Sequence, residues 1–230
     1  MAQQTGVMRI IRVSMLVALV ASTLHGVALA QAPSPDPNPT RLFFAPTARS
    51  LEKGKAYFGV YEVFVPFVQV GLTNRISIGG GTPLIWSGGL TERPLWFTPK
   101  IQVLRRPSLD AAVGVLHFFN IGDYNMGIAY GVVTKGSADS AVTAGAGYAY
   151  VRSGGGENKG AAPVLMVGGE QRVGPKLKLV TENYLFHDLA IVSGGVRFVS
   201  DNLSVDVGLF SPIGAGVFVA APVVNFVRKF

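Results

Sequence analysis

Few side chains in this sequence could make or break covalent bonds. There are three histidines and no cysteine. His25 lies in an apolar N-terminal stretch, and His117 stands among Val115, Phe118 and Phe119, the setting of a packing residue. His187-Asp188 is the one adjacent histidine–acid pair, with Ser193 and Ser211 further along. A histidine steered by a carboxylate beside a serine could act as a general base in acyl transfer. No spacing rule joins these residues and neither serine sits in a nucleophile-elbow pattern, so a surface ion pair is the simpler reading. Two histidines beyond the N-terminal stretch give no basis for a catalytic metal, and no cofactor motif is present. The glycine-rich SGGGENKG lacks the Ser or Thr that must follow the lysine of a phosphate loop. The basic residues do not cluster beside stacking aromatics, which argues against nucleic acid as a partner.

A second set is better suited to binding. Glu62, Lys100, Gln102, Glu170, Arg172, Glu182, Arg197, Asp206 and Asn225 are the polar residues that period-two alternation turns to the inward face. Charges withdrawn from water need partners. This set is therefore expected either to form an internal salt-bridge network or to line a polar passage.

The elements that must carry these residues follow from composition. Of 230 residues, 49% are hydrophobic, only 14% are charged, and 29 are glycine. No apolar run past the N-terminus reaches the ~18 residues of a spanning helix. Apolar on average without apolar blocks is the signature of strands that alternate between lipid and lumen. The first thirty residues form a separate unit. Arg9 and Arg12 precede an apolar core that ends at Ala28-Leu29-Ala30, so a secretory signal peptide is expected, cleaved between Ala30 and Gln31. Two of the 20 basic residues leave with it, so 18 face 13 acids and the mature chain carries +5. A proline-rich segment, 31–54, follows and is expected to lie on the periplasmic side, before the first strand.

From Lys55 onward, period-two segments are separated by polar turns at 73–75, 105–108, 136–139, 173–176 and 200–202. Looser connections fall between them at 86–93, 120–125, 153–161, 186–188 and 211–214, with a bend near Val65-Pro66. The reading gives an all-β, antiparallel up-and-down barrel of about twelve strands, ten being the competing count, over residues 55–230. Strands are expected to begin near Ala56, Phe67, Ile76, Leu95, Asp110, Met126, Val142, Pro163, Leu177, Ala190, Leu203 and Val217. In LSVDVGLF, Leu203, Val205, Val207 and Leu209 should face out and Ser204, Asp206 and Gly208 in. In MGIAYGV, Met126, Ile128, Tyr130 and Val132 are expected outward and Gly127, Ala129 and Gly131 inward. In VTAGAGYAY the inward set is Thr143, Gly145, Gly147 and Ala149. A soluble β-protein also alternates, but would line its second face with solvated polar residues rather than glycine and alanine.

Aromatics (Trp86, Trp96, Phe97, Phe118, Phe119, Tyr124, Tyr148, Tyr150, Tyr184, Phe186, Phe210 and Phe218) gather beside the looser connections, as an interfacial girdle would. Basic residues (Arg75, Arg105, Arg106, Lys135, Arg172, Lys176 and Lys178) gather at the other end, suited to anionic headgroups.

With the leader, the alternation and a chain ending VVNFVRKF, the sequence resembles bacterial outer-membrane β-barrel proteins of the small, porin-like class. The segment NPTRLFFAPTARSLEKGKAYF resembles a lead-in motif of little-characterised barrels of that class. The resemblance implies a Gram-negative outer-membrane location, contact with membrane lipid and lipopolysaccharide, and a monomer. It also implies a terminal strand read by the barrel-assembly machinery, carried by Val224, Phe226 and Phe230, with Arg228 departing from the apolar pattern. The implied role is a narrow passive channel for small solutes or a structural membrane protein. A rim-located lipid hydrolase using His187 and a soluble periplasmic β-protein are the alternatives.

Overall fold

A computed structural model describes residues 33–213 and 219–230. The expected signal peptide and its cleavage site lie outside these residues, as do the expected start of the last strand at Val217 and the girdle position Phe218. Twelve strands are present among the described residues: β1 (Ala56–Tyr61), β2 (Val65–Gly71), β3 (Ile76–Gly81), β4 (Leu95–Arg106), β5 (Leu109–Ile121), β6 (Tyr124–Gly136), β7 (Ser140–Ser153), β8 (Asn158–Gly174), β9 (Leu177–Leu185), β10 (Ala190–Val199), β11 (Leu203–Ile213) and β12 (Ala221–Lys229). Each pairs antiparallel with its sequence neighbours, and β1 pairs with β12 to close the barrel. Closure leaves no free edge, the condition under which a sheet can meet lipid.

The chain end is part of the wall. Phe226 lies opposite Val60 and Arg228 opposite Phe58, and the Phe230 N–H donates to Ala56 O at 3.2 Å. Both ends of the barrel chain therefore lie at the rim formed by the short turns.

The outer face is apolar. Phe58, Val68, Ile101, Val113, Val133, Val142, Leu165, Phe198, Val207 and Leu209 are all exposed, while the residues that alternate with them are buried or half-buried. On β11 and β7 the facing follows the sequence reading: Ser204, Asp206 and Thr143 are buried within, and Leu209 and Tyr148 point out. On β6 the reading is inverted. Val132 and Thr134 are buried inside and Tyr130 packs against the interior cluster, whereas a side chain at Gly131 would meet open space. The sequence reading took small residues as inward and large ones as outward; here the inner wall must be apolar because it packs on another part of the chain.

That part is the N-terminal segment. It does not lie outside the barrel, as the sequence suggested; residues 36–49 are folded into the bore as a re-entrant hairpin. Thr47 N donates to Thr40 O and Leu42 N to Ala45 O, each at 2.9 Å, with an isolated bridge between Arg41 and Pro46. Asn38, Thr40, Leu42, Phe43, Ala45, Thr47 and Ala48 are all buried. The apolar tip sits against Ala112, Val132, Met166, Val180 and Val223 of the wall. Inward glycines admit it: a Cβ at Gly168 would lie 2.4 Å from Leu42 Cδ1, and one at Gly208 3.0 Å from Phe43 Cζ.

Candidate functional site: a bore filled by the N-terminal hairpin

The interior divides into two halves. Nearer the turn rim it is polar, and there the wall grips the hairpin. Arg197, on β10, is fully buried. It holds Asp206 of β11 bidentately (Nε–Oδ1 2.6 Å, Nη2–Oδ2 3.0 Å) and Asp36 of the hairpin at 3.1 Å, and donates to the carbonyls of Asn38 (3.0 Å) and Leu42 (2.6 Å). Lys178, on β9, bonds Asp36 and Glu170 at 2.7 Å each, and Glu170 also takes Arg49. The result is a line of six alternating charges, Arg49–Glu170–Lys178–Asp36–Arg197–Asp206, in which the hairpin supplies Arg49 and Asp36 and the wall the rest. A buried pair is destabilising when one partner is removed, so the interleaving makes wall and hairpin depend on each other. Burial opposes ionisation of Asp36, yet Arg197 and Lys178 outweigh it and hold the carboxyl well below the usual carboxylate range.

The other contacts satisfy hairpin backbone. Lys100 Nζ donates to the carbonyls of Thr40 (3.2 Å), Thr47 (2.9 Å) and Arg49 (2.5 Å). Glu182 accepts from the N–H groups of Phe44 (2.9 Å) and Ala45 (2.8 Å) at the tip, and from Tyr184 Oη at 2.7 Å. Asn225 Nδ2 reaches Phe43 O at 3.2 Å, and Thr134 Oγ1 accepts from Ala48 N at 2.9 Å. A hairpin without a sheet of its own thus has these backbone groups paired by side chains of the wall, while the Asn38 amide and Arg41 Nε are buried without a partner among the described residues.

The nine polar residues singled out in the sequence occupy four kinds of place. Lys100, Glu170, Glu182, Arg197 and Asn225 bond the hairpin directly, and Asp206 does so through Arg197. Gln102 is buried but ties Asp110 (2.8 Å) to Arg105 (3.0 Å). Arg172 stands at the turn rim, bonded to Asp139 and to Ser34 O. Glu62 does not belong to the wall, because β1 ends at Tyr61 and Glu62 turns the chain with φ of 48°. Other participants fall outside that set, Arg49 of the hairpin and Thr134 of the wall among them. Lys178 lies inside the barrel and not at the headgroups; it stands four residues before Glu182 on the same face of β9, where alternation places it. Gln69 accepts from Arg41 at 3.1 Å. Asp36 and Arg41 lie on the hairpin, which carries no period-two signal.

The other half of the interior, beyond the hairpin tip toward the loops, is apolar. Two aromatic groups occupy it in place of girdle positions. Tyr61 stacks on Phe67 at 4.0 Å near Trp96, and Phe43 and Phe44 pack on Phe210. Trp96, Phe118, Tyr184 and Phe210 therefore serve the interior, while Trp86, Phe97, Phe119, Tyr124 and Tyr148 remain on the outside. His117 is also outside, bonded through Nδ1 to Tyr150 Oη at 2.7 Å across Gly127.

Among the described residues, His187 is hydrogen-bonded to neither serine of the hydrolase alternative, and Ser211 Oγ has no partner. His187 and Asp188 form a solvent-exposed pair at 2.7 Å, which raises the imidazole pKa. The Ser193 hydroxyl is engaged by the Glu182 backbone, donating to its carbonyl and accepting from its N–H at 2.9 Å.

A closed, up-and-down, twelve-stranded barrel with an apolar exterior and a charged interior has the architecture of a transmembrane β-barrel. Among solved structures the chain is similar to the KdgM porin, also solved in complex with disordered oligogalacturonate, at TM-score 0.57 and 8% identity, over 76% of this chain and 98% of that one. It is likewise similar to the NanC porin, at TM-score 0.52 and 9% identity over the same shares. No family model and no curated protein matches the sequence. At these identities the likeness is one of fold.

Proposed function

We propose that this protein is an integral outer-membrane channel for small solutes whose bore is closed at rest by its own N-terminal hairpin. The observation that carries this reading is the hairpin's seat. The wall's gripping charges are met by a segment joined to β1 through residues 50–55 and otherwise held by ion pairs and hydrogen bonds, so withdrawing that segment leaves a passage. A charge line that remains as two intact pairs, Glu170–Lys178 and Arg197–Asp206, keeps the emptied wall electrostatically balanced. The porin fold of the neighbours supports the same reading.

The rest of the assignment follows from it. The leader exports the chain, and the strand bearing Val224, Phe226 and Phe230 is read by the barrel-assembly machinery, whose exposed backbone groups it pairs before closure. The outer face then contacts lipid and, at the loop rim, lipopolysaccharide, as a monomer. Proteoliposomes provide the test. The mature chain should admit small uncharged sugars slowly, and a variant lacking 33–49 should admit them fast while remaining heat-modifiable on gels. Equal, background-level uptake by both would exclude a channel.

A further inference from the structure

The solute this bore is built to receive is set by its apolar half. Against the hairpin tip, toward the loops, lies an apolar chamber with an open mouth, lined on the hairpin side by Phe44, Ala45 and Pro46. Its walls include Ile128, Tyr130, Val164, Met166 and Tyr184, and no charged residue lines it. With the hairpin seated, this is the reverse of what a polar-solute pore needs, since a hydrated solute would shed water there without hydrogen bonds in return; removing the hairpin removes Phe44, Ala45 and Pro46 from the lining. Of the charged side chains that grip the hairpin, Glu182 alone reaches the tip, where Tyr184 Oη bonds it at 2.7 Å between carboxylate and chamber. The three rings and the Met166 thioether offer surfaces suited to an aromatic partner, through ring edges and sulfur contacts. The inverted facing of β6 has the same origin, because Ile128, Tyr130 and Val132 face inward to make this wall.

We infer that the chamber binds small, uncharged apolar molecules, a single aromatic ring or a short hydrocarbon chain, and that this is the class of solute presented to the hairpin gate. The inference rests on the channel reading but is tested separately from it. Seating on Phe44 and Pro46 places the ligand on the tip whose backbone Glu182 holds, and Tyr184, which lines the chamber, bonds that same carboxylate. An occupant therefore touches the parts that keep the tip in place.

The probe is fluorobenzene, followed by ¹⁹F line broadening against the detergent-solubilised mature chain. Val164→Phe fills the chamber, and Ile128→Asn makes its wall polar; heat-modifiability shows that each variant is folded. The expected result is saturable broadening with the parent chain, weakened at least fivefold in both variants and not displaced by a digalacturonate. Broadening that is identical in the parent and both variants would assign the probe to the detergent and overturn the inference, as would displacement by the sugar acid. Because binding is read without flux, a failure here leaves the hairpin-gated channel intact, and a failure of uptake leaves the chamber's ligand class intact.

Discussion

Asp36→Asn is the sharpest perturbation of the hairpin's seat. The carboxylate accepts from Lys178 at 2.7 Å, from Arg197 at 3.1 Å and from the Asn38 N–H at 2.8 Å. Removing one partner from a buried ion pair costs about 3–5 kcal/mol. Here Lys178 keeps Glu170 at 2.7 Å and Arg197 keeps Asp206 at 2.6 Å, and the amide still accepts a hydrogen bond. The loss should therefore be about 2 kcal/mol, which raises the unseated population roughly 30-fold at 1.36 kcal/mol per decade. The native chain has no cysteine, so a single Ala48→Cys reports cleanly. Ala48 is fully buried with its N–H on Thr134, and a methanethiosulfonate reagent reaches it only when the hairpin leaves. Labelling of Ala48→Cys should accelerate on the order of 30-fold when Asp36→Asn is added. An unchanged rate would mean that the charge line does not hold the hairpin.

Three further outcomes follow. Asp36 has a depressed folded-state pKa, so its contribution is complete above the ordinary carboxylate value of about 3.9 and is lost only as pH falls through the lower one; Ala48→Cys labelling, normalised to a free thiol, should stay flat from about pH 8 to about pH 5, and a rise across that window would refute the assignment. Trp86 lies in the β3–β4 connection with exposed Leu84 and Ile85, and Leu84 N continues the β2–β3 ladder to Phe64 O at 2.8 Å. β1–β3 have only six or seven residues where about 9–11 cross the hydrocarbon layer, so Trp86 emission should be quenched by brominated phospholipid in a Trp96→Phe background; quenching by aqueous iodide alone would contradict this. Arg228 faces out between Phe58 and Leu203 near the turn rim, where its guanidinium can reach headgroups; Arg228→Leu should assemble at least as well as the parent, measured by heat-modifiable protein in the outer membrane, and impaired assembly would give the arginine a role of its own.

The wall was legible because period-two alternation and turn chemistry are local. Eleven of the strand starts read from the sequence fall within five residues of those observed, and only the last lies in a span bordering undescribed residues. What escaped is non-local. Nothing in 33–54 alternates, and its proline content reads as an extended linker, yet Leu42-Phe43-Phe44 is an apolar run that a solvated linker would not carry. Without the hairpin, the inner face of β6 had to be read as small or polar, so Val132 and Tyr130 were turned outward. The same omission put Lys178 at the membrane surface, since an isolated lysine near a turn looks solvated until Asp36 is placed beside it. The charged inner residues were identifiable one by one, but their common purpose depends on a segment more than 50 residues upstream of the first of them on the wall.

Single-channel recording in planar bilayers addresses the central claim most directly. The mature chain should spend most of its time closed, with rare brief openings. The variant lacking residues 33–49 should show long-lived openings of uniform conductance, and Asp36→Asn should lie between them. Full, steady conductance by the mature chain would contradict the account, and so would silence from the deleted variant when gels show it folded.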